Sequence, residues 1–193
     1  MNITLDWLKE QRACPEDVEW ISNIIDTRVE NLYRIAIKEN KLDWANWTMT
    51  RLLDRKNKIR YAVFAAEQVL DIFEKEYPED KRPRKAIEAA KKVAEDDSEE
   101  NRRDSNVAAN ASYAAALAAH VALADSNVAA NASYAATLAA HVATNSTFNA
   151  TFNVANATAY VVNATPASAN AEEIKIKILD YGMTLLREQE KTQ

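Results

Sequence analysis

Apolar residues in the first half of the chain recur every three or four positions, the spacing that gives a helix one apolar side. Short amphipathic helices are predicted over residues 3–11, from Pro15 onward, over 27–40 and after Asp43. Pro15 suits the first turn of a helix because its missing N–H would have no helical partner there. All four Trp residues precede position 48, so we expect the N-terminal half to hold the heaviest part of the core.

A longer apolar stripe follows and predicts a central long helix over residues 55–77. Its main line consists of Ile59, Val63, Ala66, Leu70 and Phe73. Pro78 is expected to end this helix. Three further elements are predicted downstream: a shorter helix over 81–94, a charged and solvated connector over 96–103, and a closing helix over 171–190, with a strand as the alternative near 174–178.

The stretch 104–170 is rich in Ala and contains no Lys, Arg or Glu. Residues 104–124 and 125–145 form a near-perfect tandem repeat, and a weaker seven-residue repeat follows at Asn149, Asn156 and Asn163. Both periods are multiples of seven, which indicates helices packed along a seam. One helix over 104–164 would be about 90 Å long at ~1.5 Å per residue. Breaks are therefore expected at 125–126 and 145–147, where capping residues occur. The two long copies differ only at Ala116/Thr137, Leu123/Thr144 and Ala124/Asn145.

Nearly all the large side chains of this stretch occur at every third or fourth position, so they form one line along a helix. The prediction is a closely packed Ala-rich helical repeat region in which the Tyr and His tips find polar partners. The alternative is that Asn, Tyr and His side chains line a groove for a polar ligand. The candidate binding residues on this line are Asn110, Tyr113, His120, Asn131, Tyr134 and His141.

Residues 77–90 (YPEDKRPRKAIEAA) resemble the signature of an all-α immunity-protein family that is associated with bacterial polymorphic-toxin loci and is also found in phage. In that family a Pro-x-Asp-x-Arg-Pro turn and a short helix precede a tyrosine- and alanine-rich helical tract. The order of elements is the same here, although Asn, Thr and His replace most of those tyrosines. The resemblance implies an all-α fold and the binding of a cognate toxin.

The same run places several charges around the turn at Pro83. One interpretation is structural, with Asp80 and Glu88 pairing with Arg82 and Arg84 and holding the turn against the central helix. The alternative is functional, an anion- or partner-binding patch made of Arg82, Arg84, Arg102 and Arg103.

Composition narrows the classes of function. A net charge of −5 argues against a general nucleic-acid binder, and a single Gly excludes a phosphate-binding glycine loop. Cys14 is the only cysteine, which excludes an internal disulfide and fits a reducing compartment. No metal-ligand spacing or nucleophile system is present, so no catalytic residue, metal or cofactor is predicted. We expect one cytoplasmic all-α domain over 1–193, without a membrane span, made of the segments 1–103, 104–170 and 171–193.

These observations predict a non-catalytic binding protein of the immunity or counter-defence type, which neutralises a toxin or defence effector by occupying its surface. Two alternatives stay open. One is a sponge that sequesters a small polar signal, such as a nucleotide, in a helical pocket. The other is a structural protein that self-assembles into a homo-oligomer through its repeated helices.

Overall fold

The computed structural model describes residues 1–122, 127–144 and 171–192, together with individual residues between 153 and 164. Helices make up most of this part of the chain, and its only β contact is an isolated bridge between Asn2 and Arg28. The predicted all-α multi-helix bundle is confirmed. In chain order the helices are α1 (Leu5–Glu10), α2 (Pro15–Ser22), α3 (Val29–Lys38), α4 (Leu42–Leu52), α5 (Arg55–Glu67), α6 (Leu70–Glu76), α7 (Arg82–Glu95), α8 (Glu99–Ala122), α9 (Asn127–Thr144) and α10 (Ala171–Thr192).

The first four helices share an aromatic core. Thr4 caps α1 by accepting a hydrogen bond from the Trp7 amide at 3.1 Å. Trp7 meets Trp47 edge to face with ring centroids 6.0 Å apart, and Trp20 meets Trp44 in the same way at 4.8 Å. The expectation that the tryptophans build the core of the N-terminal half is confirmed for Trp44, which is 6 % exposed.

The predicted central long helix is wrong in its length, because α5 ends at Glu67 and α6 begins at Leu70. The amides of Gln68 and Val69 donate to carbonyls three residues back, which tightens and ends the last turn of α5. Val69 leaves the helical region with a φ of −127°. The apolar stripe continues across the break because Val69 and Leu70 are both buried, so the pattern alone does not show it.

The predicted connector over 96–103 is also wrong, because α8 already begins at Glu99. Its first turn is stabilised by Glu99 and Glu100, whose charges complement the positive end of the helix dipole. The Asn101 side chain donates back to the Asp96 carbonyl at 2.8 Å and holds the entry to the helix. The breaks predicted at 125–126 and 145–147 lie outside the described residues.

The most central helix of the bundle is α9. It packs against α5, α6, α7 and α8, and most of its side chains are buried. The second copy of the tandem repeat therefore supplies the middle of the fold, whereas the first copy forms α8 at its edge. The predicted helix from Arg55 shares this central position, because α5 packs against α6, α7, α9 and α10.

The closing helix α10 rests on α4 and α5, and its continuity rules out the strand alternative near 174–178. Gly182 permits the contact, since a Cβ there would lie 2.7 Å from the Met49 Cγ and 2.8 Å from the Tyr61 ring. Near the end of α10, the Gln189 side chain accepts from the Asp54 amide and donates to the Leu52 carbonyl, so it bridges the gap between α4 and α5. Among the described residues, no helix is sufficiently long and apolar to traverse a bilayer.

Candidate functional site

The two repeat copies pack against each other as an antiparallel pair of helices. Ser112 of α8 donates to the Ser133 carbonyl at 3.1 Å, and Ser133 of α9 donates to the Ser112 carbonyl at 2.8 Å. Two turns away, Ser105 donates to the Ala140 carbonyl at 3.1 Å. Hydroxyls that reach the opposite backbone require helices in close approach, which small side chains allow. The α8/α9 seam is therefore lined by Ala and Ser at heptad spacing: Ser105, Ala109, Ser112, Ala116 and Ala119 on α8, and Ala129, Ser133, Ala136 and Ala140 on α9.

On α8 the stripe of large side chains lies on the side away from the seam. Tyr113 is 47 % exposed and Leu117 is 43 % exposed, whereas the Ala and Ser residues of the seam are buried. The predicted close packing is present, but the small residues form the seam. The bulky line faces outward on α8, whereas Tyr134 and Leu138 on α9 are partly buried against the core. We call the exposed surface of this helix the α8 face. It consists of Asn106, Val107, Asn110, Tyr113, Ala114, Leu117 and Ala118.

A row of tyrosine rings crosses the helices at the edge of the α8 face. The Tyr113 and Tyr134 centroids are 5.6 Å apart, and the Tyr134 and Tyr160 centroids are 5.2 Å apart. Burial raises the pKa of Tyr134, and the two neighbouring tyrosines raise it further. The structure thus joins two of the predicted site residues, Tyr113 and Tyr134, through direct ring contact.

The remaining residues of the predicted stripe are less accessible. Asn110 is exposed on the α8 face, but its counterpart Asn131 is only partly exposed. His141 is also partly buried, and burial lowers the pKa of its imidazole. The side chain of His120 lies outside the described residues.

In the charged turn before α7, one of the ion pairs of the structural interpretation is present and the other partners differ. Arg82 forms a forked pair with Asp80, with Nε 2.9 Å from Oδ1, and this contact lowers the pKa of Asp80. Arg84 forks onto Glu74 of α6 instead of onto Asp80 or Glu88, which corrects the predicted partners. Glu88 is exposed and forms no ion pair with a described residue. The pairing with Glu74 joins α7 to α6 across the turn.

Pro83 occupies the first turn of α7, where a missing N–H is tolerated, and its side chain is buried.

Arg102 and Arg103 do not join Arg82 and Arg84 in one patch through any contact among the described residues. Arg102 binds Asp97 at 2.7 Å, and Asp97 also accepts from Arg55 at 2.9 Å. These two hydrogen-bonded guanidiniums lower the pKa of Asp97 to about 2. Arg55 also donates to the Ala143 carbonyl at 2.6 Å, so the cluster connects α5 with the end of α9. Arg103 is exposed.

A shallow groove of about 300 Å³ borders the α8 face where α8 passes the start of α7. Two cations from α7, Arg82 and Lys85, stand on one wall, and Val107 stands on the other. Arg82 thereby adjoins the surface that carries Asn110 and Tyr113. The remaining lining residues are Asp104, Ala108 and Ala111.

A second groove, which the sequence reasoning missed, lies between α5, α7 and α10 and measures about 480 Å³. Phe64 and Tyr181 stack at its wall with centroids 4.1 Å apart and an interplanar angle of 21°. Arg60 pairs with Glu188 at 2.9 Å beside it, and Lys91 pairs with Glu67 at 2.6 Å. The groove is lined by residues that are far apart in sequence, so no local motif predicts it.

The described residues contain no group of three or more His, Cys, Asp and Glu side chains that could hold a metal ion. Cys14 is exposed, and a hydrogen bond to Asp17 raises the pKa of its thiol. Comparisons of the chain with family models, with curated proteins and with solved structures found no match. The resemblance of residues 77–90 to an immunity-protein family stays a prediction.

Proposed function

We propose that this chain is a non-catalytic binding protein of the immunity or counter-defence type, and that it engages its partner protein through the α8 face. The observation that carries the proposal is the exposure of Val107 (64 %), Tyr113 (47 %) and Leu117 (43 %) on one helix surface. Large exposed apolar side chains that are grouped together and rimmed by polar residues are typical of interaction surfaces. Here Asn106 and Asn110 supply polar groups beside them.

The composition of the surface suits a protein partner. Tyrosine contributes large contact areas at low entropic cost, and the small Ala114 and Ala118 between the larger residues permit a close backbone approach. Lys85 at one end can attract an acidic group of the partner, whereas Arg82 beside it is already paired with Asp80. The assignment of the partner as a toxin or defence effector comes from the resemblance of residues 77–90 alone. In this proposal the protein acts by covering its partner and performs no reaction.

Affinity capture with two matched variants tests the proposal. Wild-type protein, Leu117→Asp and Leu5→Asp are immobilised and exposed to extracts of cells that express bacterial toxins or defence effectors. Leu5 is a suitable control because it is 41 % exposed and lies on α1, away from the α8 face. We expect one identified partner whose activity is blocked in a stoichiometric complex. Its affinity should fall about tenfold or more with Leu117→Asp, and it should not change with Leu5→Asp.

Three outcomes would contradict this proposal. A partner that binds Leu117→Asp as tightly as the wild-type protein would exclude the α8 face. A partner that keeps its full activity in the complex would exclude neutralisation. A wild-type protein that sediments as a stable dimer, and is monomeric only as Leu117→Asp, would assign the α8 face to self-assembly instead.

The groove between α5, α7 and α10 favours a second candidate function, the sequestration of a small polar molecule. Its volume of about 480 Å³ is in the range of small-ligand sites. The Phe64–Tyr181 pair offers an aromatic wall, and Lys56 and Arg60 offer positive charge. Mass spectrometry of the supernatant after heat denaturation tests this candidate. A ligand that is retained by the wild-type protein and lost in Phe64→Ala would support it, and the absence of any ligand would argue against it.

A further inference from the structure

The α8 face has a counterpart of almost identical sequence inside the same molecule. Residues 104–124 and 125–145 differ at only three positions, and none of these lies on the α8 face. The equivalents of Val107, Tyr113 and Leu117 on α9 are Val128, Tyr134 and Leu138. The second copy therefore provides an example of the same surface with neighbours packed on it.

The same residues are far more buried in the second copy. Ala114 and Ala118 are exposed on α8, whereas the equivalent Ala135 and Ala139 are 0 % exposed on α9. Each of the three larger side chains also changes from exposed to partly buried between α8 and α9. The difference comes from the surroundings, because the two side-chain surfaces are the same.

The neighbours that pack extensively on α9, but not on α8, include α5 and α6. α5 has a surface of small side chains, and its Ala62, Ala65 and Ala66 are each 0 % exposed. Its direction follows from one contact, because Arg55 at its start donates to the Ala143 carbonyl in the last turn of α9. α6 follows α5 and also packs on α9, so α5 runs antiparallel to α9.

We propose that the α8 face receives a helix of the partner protein that resembles α5 and runs antiparallel to α8. This inference rests on the proposed function and specifies the partner of the same site. The partner helix has small residues three and four positions apart, which lie against Ala114 and Ala118. Its C-terminal end points toward the start of α8.

Charge supports the same direction independently. A helix as long as α5, about 20 Å at ~1.5 Å per residue, that begins beside Ala122 ends beside the groove of Arg82 and Lys85. The C-terminus of a helix carries the negative end of its dipole. Arg82 is already paired with Asp80 and Asp104 also lines the groove, so Lys85 is the cation at this end that favours the antiparallel arrangement. An acidic residue in the last turn of the partner helix adds to this attraction, as Glu67 does for Lys91 of α7 within the chain.

A peptide with the sequence of residues 54–69, locked as a helix by a side-chain lactam, is the probe for this inference. We expect saturable binding to the full-length protein, measured by fluorescence anisotropy. Leu117→Asp and Val107→Asp should each weaken it about tenfold, and Leu5→Asp should have no effect. A control peptide with Ala62→Leu and Ala66→Leu should bind at least tenfold less tightly, because bulk at these positions prevents close approach.

A charge exchange tests the direction of the bound helix. Lys85→Glu should weaken binding of the peptide several-fold, and a peptide with Glu67→Lys should restore it. Lys177→Glu on α10 serves as the control, since Lys177 is equally exposed and lies on another helix. Weaker binding without restoration would overturn the antiparallel direction.

The result also separates this inference from the proposed function. If the peptide does not bind, or if both peptides bind equally, an α5-like helix is not the occupant of the α8 face. The proposed function would still stand if a natural partner depends on Leu117. If the peptide binds but no natural partner depends on Leu117, the proposed function fails while the helix-binding property of the α8 face remains.

Discussion

Ser112 and Ser133 hold the same position in the two repeat copies, and each donates its hydroxyl to the backbone carbonyl of the other. The contact is reciprocal, so a two-fold rotation that exchanges α8 with α9 maps this pair of hydrogen bonds onto itself. Two nearly identical segments joined in tandem can therefore form an antiparallel pair in which their small-residue surfaces meet. The closeness of this seam is the property on which the arrangement depends.

Enlarging Ser133 should destabilise the protein strongly. The side chain is 0 % exposed between two backbones, so Ser133→Leu should lower the free energy of unfolding by about 1–3 kcal/mol through overpacking. Ser133→Ala keeps the small volume and should cost only about 0.5–1.5 kcal/mol through the lost hydrogen bonds. Urea unfolding followed by circular dichroism measures both values. Equal costs for the two variants would show that the helices are not in close contact.

Gly182→Ala should also be destabilising, although Ala is the better helix former by about 1 kcal/mol. The added Cβ would lie 2.7 Å from the Met49 Cγ, and both Met49 and Tyr61 are buried. We expect a net loss of about 1–2 kcal/mol in thermal or urea unfolding. The loss should be smaller when Met49→Ala is already present, because that substitution removes the atom that is met first. An unchanged loss in the double variant would assign the clash to Tyr61 alone.

His141 should make stability depend on pH on the acidic side of neutrality. Burial lowers the pKa of His141 below its ordinary 6.5, so the unfolded chain binds the proton more readily than the folded one. The stabilising contribution is thus present above about pH 6.5 and is lost as the pH falls through the lower folded value. Denaturant unfolding at several pH values should show a weaker dependence for His141→Gln than for the wild-type protein. The same dependence in both proteins would contradict this assignment.

Asp97 should contribute to resistance against acid. Its bonds to Arg55 and Arg102 lower its pKa from 3.8 to about 2, so its contribution is complete above about pH 4 and is lost as the pH falls toward 2. The side chain is 38 % exposed, so Asp97→Asn should cost only about 0.5–1 kcal/mol at neutral pH. Unfolding at pH 7 and pH 3 should show that the difference between variant and wild type shrinks in acid. A constant difference would mean that the charge of Asp97 is not involved.

Periodicity was sufficient to predict where most helices lie, but it could not locate the ends of all of them. Leu70 and Phe73 continue the apolar line of α5 at helical spacing and are buried, although they belong to the next helix. The break at Gln68 and Val69 arises from local hydrogen bonding and contains neither Gly nor Pro. A pattern of apolar residues carries no information about such a bend.

The tandem repeat misled the sequence reasoning about which surface is the core. Large side chains at helical spacing normally mark the buried surface, and on α9 Tyr134 and Leu138 do pack against the core. On α8 Ala109 and Ser112 are buried instead, because small residues allow the backbones to approach and the bulky Tyr113 and Leu117 stay exposed. The Arg84–Glu74 ion pair could not be predicted from the local sequence pattern either, because it depends on how the break after α5 positions α6.

The position of α8 at the edge of the bundle has a consequence for how such a chain can lengthen. One 21-residue unit already serves as an inner helix and as an outer helix, with Ala116/Thr137 as the one difference between the copies at a buried position of both helices. An additional unit gained by unequal recombination could pack on the exposed α8 face without any rearrangement of the existing helices. Each whole unit added to the gene would then add one helix beside α8, and the exposed surface would move to that new helix.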